Sequence, residues 1–337
     1  MNPVGAEDTP TTYRDFADQA RGLSACFVEW ASAVADDAEV LALVDSLPVP
    51  KRQPNLVLAA ARWLGAPAPG PYDGLRTVLV EQWDGVRDIV MQRATQTNEV
   101  GRCATLLPVL AGLPGPLALL EVGASAGLCL YPDRYSYRYS TGASLDPTDG
   151  PSPVELSCTV HGDAALPTRL PEVVWRGGVD LNPLDVRDDD AMRWLETLIW
   201  PEHDDRRARL RAAVGLARED PPTLARGDLN EVLPDLVEQV PPDATLVVFH
   251  SAVLAYLSAG DRDLFAMEMA VTRGHWVSNE GPRVLPTVAA TLPSAAVPPA
   301  VVGPAPFLLG LDCRAVAFTE GHGRAISFVA PTSGAHQ

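Results

Sequence analysis

A formal net charge of −17 over 337 residues leaves no basic face for a phosphate backbone, which argues against nucleic acid as a partner. Hydrophobic residues make up 47% of the chain and charged ones 20%, the mixture of one large or two ordinary globular domains with a substantial core. No apolar run reaches the roughly 18 residues of a membrane helix, and Met1 to Pro10 is polar and acidic, so no anchor or signal peptide is expected.

Residues 1–112 read as a helical region. Leu23, Phe27, Trp30 and Val34 recur at helical spacing, as do Val100, Cys103, Ala104, Leu107 and Leu110. Turn signals at Leu47-Pro-Val-Pro50 and from Gly65 to Pro71 separate the helices. Gln96, Asn98, Glu99 and Arg102 make a polar start to the last of them. They serve as helix caps, or as amides and charges that bind a substrate.

From residue 113 to about 334, strand-like and helix-like segments alternate, the signature of a parallel sheet with crossover helices. Strands are expected at 117–122, 173–180, 222–227, 244–249 and 274–279. Helices are expected at 125–133, 188–217 (broken at Pro201), 230–239 and 252–270. Residues 134–172, with Tyr135, Tyr137 and Tyr139 alternating, look like an inserted strand pair. Residues 282–306, rich in Pro, Ala and Val, are long enough for a lid or linker. Segments 307–319 and 324–330, joined by Gly321-His-Gly-Arg324, read as a hairpin closing the sheet edge.

The most informative stretch is Pro116-Leu-Ala-Leu-Leu-Glu-Val-Gly-Ala-Ser-Ala-Gly-Leu-Cys-Leu130. An apolar strand ends in Glu121, and Gly123, Ser125 and Gly127 then form a small-residue turn. Such a turn lets backbone amides approach a ligand. The same letters spell G-x-S-x-G, the nucleophile elbow of a serine hydrolase with Ser125 reacting. A purely structural glycine turn is the third option. Nothing before Leu117 reads as a strand and no oxyanion segment precedes it, so the strand is taken as the first of its sheet, where a cofactor loop belongs.

The sheet half resembles class I S-adenosylmethionine-dependent methyltransferases. Glu121-Val-Gly-Ala-Ser-Ala-Gly127 matches their glycine loop, Gly178-Val-Asp-Leu-Asn-Pro183 their second strand end, and Gly227-Asp-Leu229 their third. The resemblance implies a Rossmann-like α/β sheet, mostly parallel with an antiparallel C-terminal hairpin, and methyl transfer from S-adenosylmethionine to a small molecule. It implies that Glu121, Gly123, Ser125, Gly127, Asp180, Asn182 and Asp228 hold the cofactor, Asp180 taking the ribose hydroxyls. Asp146, at the spacing of a simple βαβ unit, is the alternative ribose acid.

Over about residues 13–330 the chain is also similar to an actinobacterial domain-of-unknown-function family, DUF2332. The matching stretches are Thr95-Gln-Thr-Asn-Glu-Val-Gly-Arg102, Gly123-Ala-Ser-Ala-Gly-Leu128, Arg176-Gly-Gly-Val-Asp-Leu-Asn-Pro183, Val247-Val-Phe-His-Ser251 and Ser278-Asn-Glu-Gly281.

His250 closes an apolar strand and is the expected general base, with Glu280 as a second catalytic group. Ser251 and Asn279 are expected to face the substrate. A non-catalytic protein that binds a nucleoside or a protein partner is the alternative function. Cys26, Cys103, Cys129, Cys158 and Cys313 are odd in number and form no C-x-x-C pair. They read as reduced thiols of a cytoplasmic protein. The histidines are scattered, so no metal site is expected. Arg206, Arg207, Arg209 and Arg211 read as a solvated helix face.

Overall fold

The structure, a computed structural model, describes residues 8–162, 166–294, 296–303 and 305–329. The chain divides into two compact units, one of Met1–Thr97 with Asp188–Ala208 and one of Asn98–Arg187 with Arg209–Gln337.

The first unit is helical. It contains α1 (Thr9–Ala20), α2 (Ala25–Asp36), α3 (Ala38–Asp45), α4 (Pro54–Trp63), α5 (Tyr72–Glu81), α6 (Trp83–Gln92) and a helix at Asp189–Leu198. Side chains start several of these helices: Asp8 accepts from Thr11 N, Ser24 from Phe27 N and Asp37 from Val40 N. Each such cap is worth about 1 kcal/mol. Phe27 and Trp30 are fully buried, with the Trp200 ring 5.5 Å from that of Phe27. The Arg93 guanidinium lies over both Trp63 and Trp194, at 4.4 and 5.1 Å.

The second unit begins with α7 (Cys103–Leu110) and is built on β1 (Leu117–Val122), β2 (Ser136–Tyr139), β3 (Ser144–Leu145), β4 (Glu155–His161) and β5 (Val173–Asp180). After the Asp189–Leu198 helix, which is α8, and α9 (Asp204–Glu219), it continues with β6 (Thr223–Arg226), α10 (Leu229–Glu238), β7 (Thr245–Ser251), α11 (Ala259–Val271) and β8 (His275–Glu280). It ends with α12 (Pro286–Ala289), β9 (Phe307–Leu311), β10 (Arg314–Thr319) and β11 (Ala325–Phe328). The sheet is open and mixed, in the order β3-β2-β4-β11-β10-β9-β8-β7-β1-β5-β6. Its core, β8-β7-β1-β5-β6, is parallel, and β9, β10 and β11 follow antiparallel. All six residues of β1 are buried, as a strand covered on both faces requires.

Four expectations change. No α-helix follows the glycine turn; only a 3-10 turn forms at Leu128–Leu130. Gly123, Ser125 and Gly127 all take positive φ, which a right-handed helix cannot accommodate. Among the described residues, 134–172 hold three strands rather than two, and β4 joins the main sheet by pairing parallel with β11. The segment 307–319 is two strands, because Asp312 and Cys313 both take positive φ, as a two-residue hairpin turn needs. The final hairpin is therefore interior to the sheet and closes no edge. Within 282–306, Leu285, Val288 and Val302 are buried in the core, and Thr291 Oγ1 accepts from Ala315 N at 2.8 Å, so this connection is packed on the sheet. Residues 295 and 304 of it lie outside the described residues.

Among the described residues no helix is long and apolar enough to cross a membrane. All five cysteines are free, four buried and Cys313 exposed.

Candidate functional site at the strand ends

The parallel core ends in Val122, Asp180, Arg226, Ser251 and Glu280, and the hairpin Glu320–Arg324 reaches the same edge because β10 runs parallel to β8. Ligands of open α/β sheets bind at this edge, where the strand order reverses between β1 and β7.

The glycine turn is held by hydrogen bonds to its neighbours. Gly123 N and Ala124 N both donate to Val179 O, at 2.8 and 3.1 Å. Asp180 accepts from Ser125 N at one oxygen (2.8 Å) and from Asn182 N at the other (2.7 Å), which ties the turn to the end of β5. Asn98 Nδ2 donates to Ser125 Oγ (2.5 Å) while its Oδ1 accepts from Ala126 N (3.1 Å). These bonds stabilise the left-handed conformation of Ser125, which costs a non-glycine residue about 1–3 kcal/mol. Gly123 is needed on two counts: φ is +70°, and a Cβ there would collide with the side chain of Val253.

Glu121 is buried at the end of β1, and its Oε2 has no hydrogen-bond partner. Burial pushes its pKa well above the usual carboxylate range; Cys129 and Asp180 push the same way, and Arg102 opposes them. A neutral Glu121 can donate a hydrogen bond as well as accept one.

His250 is fully buried. Its Nδ1 lies 2.8 Å from Glu280 Oε1, and its Nε2 accepts from Trp276 Nε1 at 3.0 Å. Phe265 packs edge-on against the ring. Glu280 Oε1 also accepts from Val253 N (2.8 Å) and Leu254 N (3.0 Å). With both ring nitrogens occupied and no exposure, His250 has no lone pair to offer a substrate. In this geometry the expected base and its partner Glu280 are a core hydrogen-bond pair that fixes the loop after β7.

A polar chain crosses the edge towards the hairpin. Arg102 Nη1 donates to Ser251 O (2.8 Å), and its Nε donates to Gly321 O (3.0 Å). Asn279 Nδ2 donates to Ser251 Oγ (3.0 Å), and its Oδ1 accepts from Thr319 Oγ1 (2.7 Å). Asn182 and Asp228 are exposed, and Asp228 caps α10 by accepting from Asn230 N at 2.8 Å. Gln96 belongs to the helical unit and not to this one. Asp146 accepts from Ser136 and Arg138 beside β3, at the opposite end of the strand order from β5.

A family model described as an uncharacterized protein conserved in bacteria (DUF2332) matches residues 11–327. The chain belongs to that family. No curated protein matches it. For this DUF2332 chain the strand-end edge thus has to be read from its own chemistry.

Two residues at this edge, Val253 and His322, and one near the start of β8, Trp276, escaped the sequence reading. Val253 sits in a short loop with no motif, Trp276 looks like an ordinary core residue, and His322 is one of several scattered histidines. Only the hairpin signal at Gly321-His-Gly-Arg324 pointed near His322. Among the described residues no three His, Cys, Asp or Glu side chains are grouped to hold a metal ion.

Proposed function

We propose that this protein transfers a methyl group from S-adenosylmethionine to a small molecule at the C-terminal edge of its parallel core. The observation that carries this reading is the strand order. Numbered along the parallel core alone, it runs 5-4-1-2-3, with the antiparallel β9 next to the fifth strand, as in a methyltransferase-type Rossmann sheet.

The residues present fit the nucleoside part of that cofactor. Asp180 is partly exposed, and each of its oxygens keeps a lone pair for a ribose hydroxyl beyond the amide it already accepts. Asp228 and Asn182 are exposed at and just beyond neighbouring strand ends, and the orphaned Oε2 of Glu121 lies at the end of the strand between β5 and β7. Beside Gly123 the space is already taken by Val253, so a ligand lying there displaces that side chain. When bound, the cofactor supplies an electrophilic methyl carbon. The chain's part is positioning, with Asp180, Asn182 and Asp228 on the nucleoside and Arg102, Ser251 and Asn279 towards the acceptor.

Val253 over Gly123 favours a second reading, a non-catalytic member of the fold that binds a nucleoside. The serine-hydrolase alternative lacks a base: Ser125 Oγ accepts from Asn98, and no hydrogen bond joins Ser125 to a histidine among the described residues.

Calorimetric titration with S-adenosylhomocysteine tests the proposal. Binding is expected, and ligand at 100 times Kd should raise stability by about 2.7 kcal/mol. No heat and no thermal shift at millimolar ligand would sink both the methyltransferase and the nucleoside readings. Binding without methyl release from S-adenosylmethionine would favour the second.

A further inference from the structure

The segment Asn98–Arg102 and the hairpin tip Glu320–Arg324 are pressed together backbone to backbone. A Cβ on Gly101 would strike the carbonyl oxygen of His322, and one on Gly323 would strike the carbonyl oxygen of Gly101. The Arg102 guanidinium spans the same gap, tying Gly321 O to Ser251 O. This approach brings His322 Nδ1 to 3.4 Å from Glu99 Oε2. The Glu99 side chain is 4% exposed and that of His322 37% exposed. Glu99 is fixed in turn, since its Oε1 accepts from Gly101 N at 3.1 Å. Nδ1 of His322 is sealed from solvent, whereas Nε2 is neither sealed nor hydrogen-bonded among the described residues.

We infer that His322 is the general base of the strand-end site, that Glu99 is its positioning carboxylate, and that the substrate presents a hydroxyl or amine whose proton His322 takes. A carboxylate facing Nδ1 favours the tautomer with the proton on Nδ1, which leaves the Nε2 lone pair free at the open side of the ring. The proton passes from the substrate O–H or N–H to Nε2, the bonding pair stays on the substrate oxygen or nitrogen, and the imidazolium so formed is paired with Glu99. Among the described residues, the other charged groups on the two packed segments are Glu320 and Arg324 on the His322 hairpin and Arg102, whose Nε donates to Gly321 O. Glu320 Oε2 accepts from His322 N at 2.9 Å and pairs with Arg324. This inference rests on the reading of this edge as the reacting site but not on the identity of the cofactor.

The test is nitrogen-15 NMR of the imidazoles in the full chain, together with carbethoxylation by diethyl pyrocarbonate mapped by mass spectrometry across pH 5–9. His322 is expected in the Nδ1–H tautomer and reactive at Nε2, with His250 inert. In Glu99→Gln the nitrogen-15 spectrum is expected to show a larger share of the Nε2–H tautomer of His322, with weaker carbethoxylation, and Glu99→Asp is expected to restore part of the Nδ1–H form. An Nε2–H tautomer in the unsubstituted protein overturns the inference without any variant. A tautomer ratio unmoved in a folded Glu99→Gln protein does so as well. Neither readout uses a nucleoside, so the failure of S-adenosylhomocysteine to bind is a separate result.

Discussion

Trp276 Nε1 donates a 3.0 Å hydrogen bond to His250 Nε2, so the histidine at the end of β7 is closed on one side by an indole and on the other by Glu280. Trp276→Phe keeps an aromatic ring but leaves a buried acceptor without its donor. The expected cost is about 1–3 kcal/mol in urea unfolding. A loss under about 0.5 kcal/mol would show that the indole does not hold the ring.

Glu121 gives a pH-dependent outcome. Burial holds its pKa well above the usual range, so the folded chain keeps a proton that an unfolded glutamate releases near pH ~4.3. Between that pH and the folded midpoint the folded state binds more protons, and stability falls as pH rises. Glu121→Gln removes this dependence. The variant is expected to be more stable than the parent near pH 8 and to differ little near pH 5. The gain is about 1.4 kcal/mol for each pH unit by which the folded midpoint exceeds the unfolded one. Urea melts at the two pH values decide; a variant equally destabilised at both would refute the assignment.

Asp180 and Asp146 separate cleanly. Asp180 lies at the end of β5 and accepts from the glycine turn, whereas Asp146 is engaged with Ser136 and Arg138 at the far end of the sheet. Asp180→Ala is expected to weaken S-adenosylhomocysteine binding at least tenfold, about 1.4 kcal/mol or more, and Asp146→Ala less than about twofold. Calorimetry on the two variants checks this, and the reverse pattern would move the nucleoside away from β5.

Val253→Ala opens the space against Gly123. Two methyl groups are removed from a half-buried site, so a stability loss of about 1 kcal/mol is expected. S-adenosylhomocysteine affinity should nevertheless rise about three- to tenfold, because the ligand no longer has to displace the side chain. Unchanged or weaker affinity would mean that the ligand does not lie against Gly123.

The parallel core was legible in the sequence because its signal is local. The runs 117–122, 173–180 and 244–249 match β1, β5 and β7 within two residues at each end; β1 and β7 are buried along nearly their whole length, as an apolar run predicts, whereas β5 is buried only over Gly177–Val179. The helix expected at 125–133 was not legible as absent. Nothing in Ala124-Ser-Ala126 announces that Ser125 adopts positive φ, and that conformation depends on Asn98 and Asp180, which are distant in sequence. The Asp312-Cys313 turn was missed for a related reason: neither residue is the glycine that usually marks such a hairpin.

By itself the sequence determined the alternation of strands and helices, the acids at the strand ends and the polar run from Asn98 to Arg102, because periodicity and residue type are properties of neighbours along the chain. Only the tertiary structure decided which partners those groups meet. His250 looks like a base in the sequence and is consumed by Trp276 and Glu280. His322 looks incidental, and beside the buried Glu99 its Nε2 makes no hydrogen bond among the described residues. A histidine's role depends on which of its nitrogens is left open, and that follows from side chains brought together across the sheet.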